Sequence, residues 1–329
     1  MTTDEHYMRR CLELARMAEG QTSPNPLVGA VIVCDDRIIG EGYHHKAGWP
    51  HAEVEAVRSV RDKELLKRST IYVSLEPCSH YGKTPPCAEL IIRKKIPRVV
   101  MAMRDPFPEV SGRGEKMLRE AGVEVACGIL EAEARELNRF FLTAVEKKRP
   151  YVTLKWARSA DGFMDKKRNS STIPPICFSS PVRMREIHRM RMTHDAILVG
   201  YRTALLDNPK LNNRYWPGGK TPLRIVLDRN KALPDNLHLF DGSIATLRII
   251  DSTIKRIDPI PGVEYWQTDF SQPFLPALLK KLHEINIRSL MVEGGAKTLA
   301  LFIKSNLYDR IDEEVSPTYL SEGISAPVY

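Results

Sequence analysis

Short apolar runs alternate with amphipathic stretches along the first half of the chain. "LVGAVIVC" (27–34) and "RIIGEGYH" (37–44) flank Asp35-Asp36, which predicts two strands joined by a tight hairpin. A helix is predicted from Ala52, then the strand "TIYVSL", a helix from Cys87, the strand "RVVMAM", a helix near Gly114 to Glu120 and the strand "VEVAC". The opening "MTTDEHYMRRCLELARMAEG" reads as an amphipathic helix, and "EAEARELNRFFLTAVEKK" as one long helix closing the series. This alternation predicts a layered α/β sheet with helices on both faces.

Pro150 stops that last helix, and a second α/β series starts at "YVTLKWARSADG". The expected boundary divides the chain into 1–148 and 149–329. The second series holds a helix around Arg183 to Arg191, the strands "DAILVG" and "LRIVLD", a helix after Pro273, the strand in "IRSLMVEGG" and the helix "AKTLALFIKS". The stretches 211–222 and 231–261 are rich in Pro, Asn and Gly and read as connections.

With 329 residues, one large or two medium domains are expected, and 43% hydrophobic against 27% charged residues is the balance of a soluble globular protein. No apolar run approaches a bilayer span, and the N-terminus lacks the basic-then-apolar pattern of a signal peptide, so a cytoplasmic, non-membrane protein is expected. A net charge of +8 favours phosphorylated small molecules or polyanions. Lys and Arg are spread along the chain without a basic, aromatic-bearing stripe, so nucleic acid is not the expected partner. Cytoplasmic cysteines are not expected to form disulfides; Cys11, Cys34 and Cys127 read as core thiols.

Cys78 and Cys87 differ. They lie in "EPCSHYGKTPPC", each after a proline and each reading as the opening of a helix, where backbone N–H groups favour a thiolate. "GWPHAEVEAV" supplies His51 and, two residues on, Glu53. One imidazole and two thiolates make three zinc ligands, leaving the fourth tetrahedral position to water, the catalytic arrangement. Glu53, close to the metal but not on it, is the candidate proton shuttle. His-x-Glu with Pro-Cys…Cys is the zinc nucleobase-deaminase pattern, with a longer loop between the cysteines than the usual Cys-x-x-Cys. His80, between the cysteines, reads as a loop residue facing substrate or solvent. "PGGKTP" (217–222) lacks the context of a phosphate loop and reads as a plain turn.

These motifs resemble the bifunctional riboflavin-biosynthesis deaminase/reductase family over almost the whole chain. "SPNPLVGAVIV", "GEGYHHKAGWPHAEVEA" and "EPCSHYGKTPPC" are similar to its deaminase half; "YVTLKWARSADG", "TALLDNPKLNNR" and "MVEGGAKTLALF" are similar to its reductase half. The resemblance implies a cytidine-deaminase-like three-layer α/β/α domain followed by a dihydrofolate-reductase-like α/β domain. It implies zinc-dependent removal of the 2-amino group from a diaminopyrimidinone ribosylamine 5′-phosphate, then NADPH reduction of the ribosyl chain to ribityl. By motif it places Asn25, His44, Lys83 and Thr84 on the deaminase substrate. It places Arg191, Leu211, Arg214 and Glu293 on the reductase substrate. It implies cofactor positions at Thr203, Asp207 and the run Gly295, Ala296, Lys297, Thr298, Leu299, Ala300 and Leu301. A homo-oligomer acting on a small phosphorylated pyrimidine is expected.

Two departures bear on the reductase half. The family has a Ser-x-Trp-Ile-Thr-like stretch against the cofactor, where this chain has "PPICFSSP", with Pro175 and Cys177 at the Ser and Trp positions. The chain also ends at "GISAPVY", earlier than expected, and a missing last strand would expose a sheet edge. The alternatives are a deaminase with an impaired reductase half, a tRNA deaminase with a C-terminal binding module, and a structural zinc protein, which would leave Glu53 without a role.

Overall fold

The computed structural model describes residues 2–81, 85–107 and 111–329. The chain forms two compact units, divided between Lys148 and Arg149. In the first unit the elements run α1 (Thr3–Arg16), β1 (Gly29–Cys34), β2 (Arg37–Tyr43), α2 (Ala52–Ser59), β3 (Thr70–Val73), α3 (Cys87–Arg93), β4 (Arg98–Met101), α4 (Arg113–Glu120), β5 (Glu124–Cys127), α5 (Glu131–Leu137) and α6 (Arg139–Lys147). The sheet order is β2-β1-β3-β4-β5; β1 is antiparallel to both neighbours and β3, β4 and β5 are parallel. Asp35 and Asp36 both take left-handed backbone, φ 48° and 56°, as a two-residue hairpin turn requires.

The sheet is buried on both faces. Ile32, Ile71, Val73 and Val99 pack with α2, α3 and α4 on one side. Val31, Val33 and Val100 pack with α1, α5 and α6 on the other. Cys11 and Cys34 are buried as expected, but Cys127 is exposed, because it ends the edge strand β5. The long closing helix is two helices. Asn138 breaks it, its Oδ1 accepting from Leu27 N at 2.8 Å and its Nδ2 donating to Leu27 O at 3.0 Å. A buried amide satisfied by a distant backbone overrides the helical pattern around it.

The second unit contains β6 (Tyr151–Arg158), β7 (Phe163–Asp165), α7 (Pro181–Thr193), β8 (Ala196–Gly200), α8 (Tyr201–Asp207), β9 (Leu223–Leu227), β10 (Thr246–Asp251), β11 (Val263–Thr268), α9 (Leu275–Glu284), β12 (Ser289–Val292), α10 (Ala296–Lys304), β13 (Arg310–Val315) and β14 (Ile324–Ser325). Seven parallel strands follow the order β11-β10-β9-β8-β12-β6-β13, and β14 pairs with β7 separately. From β8 the chain winds outward to β11, then returns to insert β12 between β8 and β6. The order therefore reverses beside β8 and β12, where an open α/β sheet places its ligand crevice.

The stretch 231–261, expected as a connection, holds the inner strand β10, next to the edge strand β11 and buried at all six positions. Arg248 hides the strand from an apolar pattern. It is fully buried, donating to Asp228 and to Leu233 O. The edge strand β13 was equally hidden, since "RIDEEV" carries four charges, a composition that suits an open sheet edge.

Candidate active sites

The first site is set by close packing. A Cβ on Gly42 would lie 2.4 Å from Ala56 N and 2.6 Å from Ala52 O, so only glycine lets α2 rest its backbone on β2. That contact fixes the start of α2, where His51 is the N-cap and Glu53 lies in the first turn. Cys87 opens α3, but Cys78 sits in irregular chain rather than on a helix. There Cys78 O accepts from Ala88 N at 3.1 Å and its Sγ from Cys87 N at 3.3 Å.

His51 Nδ1 lies 3.6 Å from Cys78 Sγ and 3.3 Å from Cys87 Sγ. Tetrahedral zinc, with Zn–N about 2.0 Å and Zn–S about 2.3 Å, would space such a pair about 3.6 Å apart. Among the described residues these three form a potential metal group, their donor atoms within 4.8 Å of one another. The donors are thus already at zinc-binding separations. The Cys87 thiol and then His51 favour the Cys78 thiolate; that thiolate and burial push Cys87 up, and it raises His51. Glu53 is 3% exposed, and burial first, then Cys78, pushes its carboxyl up to about 7. It is a buried acid at the metal group and outside it.

Asn25 and His44 come together beside this group. His44 Nδ1 donates to Pro50 O at 3.0 Å, which leaves Nε2 to accept from Asn25 Nδ2 at 3.1 Å. The His44 ring stands edge-on to that of His51, with centroids 5.8 Å apart. His80 is exposed. Lys83 and Thr84 lie outside the described residues.

In the second unit the expected residues divide. Arg191 and Glu293 form a two-pronged ion pair, Nε–Oε1 2.8 Å and Nη2–Oε2 2.6 Å, while Arg191 Nη1 donates to Asn212 O at 3.1 Å. Arg214 is exposed, its guanidinium over Tyr215 and donating to Asn212 Oδ1 at 2.9 Å. Leu211 is buried among Val199, Val226 and Leu233, so its side chain serves the core. Thr203, Gly295 and Thr298 converge: Gly295 N donates to Thr203 Oγ1 at 2.9 Å, and a Cβ on Gly200 would strike Thr298 Oγ1 at 2.3 Å. Ala296 and Lys297 continue into the first turn of α10, Lys297 exposed. Leu299 points into the core with Phe302, whereas Ala300 is partly covered and Leu301 exposed. Asp207 is paired with the buried Arg168, which also donates to Asp165, Ile173 O and Leu206 O. That pairing anchors the irregular segment carrying Pro175 and the exposed Cys177.

Residues 1–103 match the family described as the cytidine and deoxycytidylate deaminase zinc-binding region, and residues 150–322 match the RibD C-terminal domain. The chain is 42% identical to the riboflavin biosynthesis protein RibD of Aquifex aeolicus over 98% of this chain and 89% of that protein. The chain belongs to the RibD family. It is 40% identical to the RibD of Bacillus amyloliquefaciens, covering 98% of this chain and 87% of that one. A solved structure of a diaminohydroxyphosphoribosylaminopyrimidine deaminase/5-amino-6-(5-phosphoribosylamino)uracil reductase from Thermotoga maritima superposes with TM-score 0.89 at 39% identity, over 98% of this chain and 89% of that one. The protein is therefore a bifunctional deaminase and reductase of riboflavin biosynthesis, using zinc and NADPH. No helix among the described residues is long and apolar enough to cross a membrane.

Two residues of this RibD-family enzyme escaped the sequence reading. Glu76, 4% exposed, accepts from the backbone N–H groups of Asp105, Gly112, Gly114 and Glu115 at 2.9–3.1 Å, steadying the chain just before Cys78. The "EPC" triplet was the available signal. Lys155 on β6 has its amine pushed down by burial, within electrostatic reach of Glu293 and Arg191. Nothing in "YVTLKWAR" distinguishes it from a solvent-facing lysine.

Proposed function

We propose that residues 1–148 deaminate a diaminopyrimidinone ribosylamine 5′-phosphate and that residues 149–329 reduce the ribosyl chain of the product with NADPH. The observation that carries the reading is the convergence of His51, Cys78 and Cys87 beside the buried carboxyl of Glu53. His51 and the two cysteines would hold zinc. When bound, zinc is a Lewis acid that brings the acidity of water into the neutral range. Glu53 carries the proton from attacking water to the leaving amine, a task suited to a buried carboxyl beside the metal group and outside it. Asn25 and His44, ordered by Pro50 O, meet the pyrimidine edge, and Lys83 and Thr84 are proposed to hold the same substrate.

In the reductase half, Thr203, Asp207 and Gly295 to Leu301 are proposed to line the NADPH site. The N–H groups opening α10 suit a phosphate. Arg191, Arg214, Leu211 and Glu293 are proposed at the substrate end, joined by Lys155. Arg214, exposed and mostly uncommitted, is the better placed arginine for the 5′-phosphate. The reading further takes the enzyme as a cytoplasmic homo-oligomer that does not act on nucleic acid. The test is to supply the diaminopyrimidinone phosphate with and without NADPH. The expected products are the deaminated ribosylamine without NADPH and the ribityl compound with it. Recovery of unchanged pyrimidinone would overturn the reading.

A further inference from the structure

His188 lies on α7, one turn before Arg191, and is fully buried. Its Nδ1 is 3.0 Å from the backbone N of Arg214. An amide nitrogen can only donate, so Nδ1 is the bare acceptor and a neutral ring carries its proton on Nε2. Nε2–H then lies 3.4 Å from the Arg191 guanidinium, and a second proton would have to enter at Nδ1, where the Arg214 N–H points; both oppose a charged ring. The Tyr215 ring covers the imidazole at a centroid distance of 4.6 Å.

Beside the ring contacts of Tyr215 with His188 and of Trp216 with Arg189, two hydrogen bonds tie the backbone of the segment from Leu211 to Trp216 to α7. One is the Asn212 carbonyl on Arg191, and the other is the Arg214 amide on His188. The segment enters with Leu211 in left-handed backbone, φ 48°, a conformation a leucine does not hold without support. Only the second tie acts on the residue that presents the exposed guanidinium.

We propose that His188 is a positioning residue of the reductase site, fixing through Nδ1 the backbone from which Arg214 meets the phosphorylated substrate beside Arg191 and Glu293. The proposal rests on the reading of those three residues as the substrate end.

The test uses the full-length, zinc-loaded chain with His188→Leu, His188→Asn and His188→Gln. Asparagine places an acceptor where Nδ1 stands; glutamine places its amide near Nε2; leucine has no acceptor. KM for the deaminated ribosylamine phosphate, kcat, NADPH affinity by fluorescence and deaminase turnover are measured for each. Leaving the Arg214 amide without its acceptor should raise KM about tenfold in His188→Leu and His188→Gln. His188→Asn should stay within about threefold of wild type, with NADPH affinity and deamination unchanged in all three. If His188→Leu does not fold, the contrast between asparagine and glutamine still decides, and equal KM values in these two overturn the proposal. A uniform loss of NADPH affinity would also overturn it, since that marks general damage. Arg191→Ala and Arg214→Ala are measured alongside. If neither alters the reductase, the substrate-end reading falls and the proposal with it. If they raise KM while a folded His188→Leu matches wild type, the proposal alone falls.

Discussion

Arg191 spends both prongs of its guanidinium on Glu293, at 2.8 and 2.6 Å, in a pair whose side chains are only 11% and 9% exposed. Removing one partner of such a pair leaves the other charge buried and uncompensated, at a cost of about 3–5 kcal/mol. Arg191→Ala should therefore lower the urea midpoint of the second unit and raise KM for the reductase substrate. Arg191→Ala/Glu293→Gln should recover part of the stability, because no orphan charge remains. Arg214→Ala, on an exposed side chain, should leave the midpoint unchanged. Equal midpoints for Arg191→Ala and Arg214→Ala would show that the pair is not the buried unit described.

Glu53 is buried yet belongs to no ligand set, so its removal separates metal binding from proton transfer. Glu53→Gln should keep one zinc per chain and lose at least a hundredfold in deamination, the lower end of what a positioned acid–base contributes. Reduction of pre-deaminated substrate should continue at the wild-type rate. Full deamination by a zinc-replete Glu53→Gln protein would remove Glu53 from the mechanism.

The contrast between what the sequence disclosed and what it hid has a physical origin. His51, Glu53, Cys78 and Cys87 are legible because metal chemistry restricts both residue type and neighbours. The two-residue turn at Asp35-Asp36 is legible because its backbone requirement is local. Asn138 is not: it breaks a helix only because Leu27, 111 residues away, offers both backbone groups. β10 was hidden by Arg248, whose burial is tolerable only beside Asp228 and Asp235. Lys155 and the committed fork of Arg191 were illegible for the same reason, since each depends on partners that only the folded sheet brings near. Cys127 misled through its apolar neighbours, for an edge strand can be apolar and still leave its last residue in water.

Gly42 offers a structural lever on the zinc site. A methyl group there would stand 2.4 Å from Ala56 N, so Gly42→Ala must push α2 away from β2 and carry His51 and Glu53 with it. Overpacking of this kind costs about 1–3 kcal/mol, and displacement of catalytic groups by 1 Å can cost a hundredfold in rate. Deamination should thus fall far more than the stability loss suggests, while the reductase half serves as an internal control. Wild-type deamination in Gly42→Ala would mean that α2 is not held by this contact.

Metal removal should act on one half of the molecule. Dipicolinate, or Cys78→Ser or Cys87→Ser, should eliminate bound zinc and deamination and lower the thermal midpoint of the first unit, because metal binding free energy adds to folding. NADPH oxidation with deaminated substrate should persist. Readdition of zinc should restore the chelated wild type but not the serine variants. A thermal midpoint that ignores the chelator would show that the metal adds nothing to the fold.

His188 also gives the second unit an acid sensitivity whose sign is fixed by its surroundings. Burial first, then Arg191 and Arg214, hold its imidazole down at about 4. An unfolded histidine titrates near 6.5, so below that pH the unfolded chain takes up a proton that the folded chain refuses. The stability held at pH 7 is therefore lost progressively as the pH falls from about 6.5 to about 4. Urea unfolding of the second unit at intervals across that window should show the decline in wild type and a flatter profile in His188→Asn, which cannot take the proton. If both profiles run parallel, another group governs the acid limb and His188 is already free to titrate in the native state.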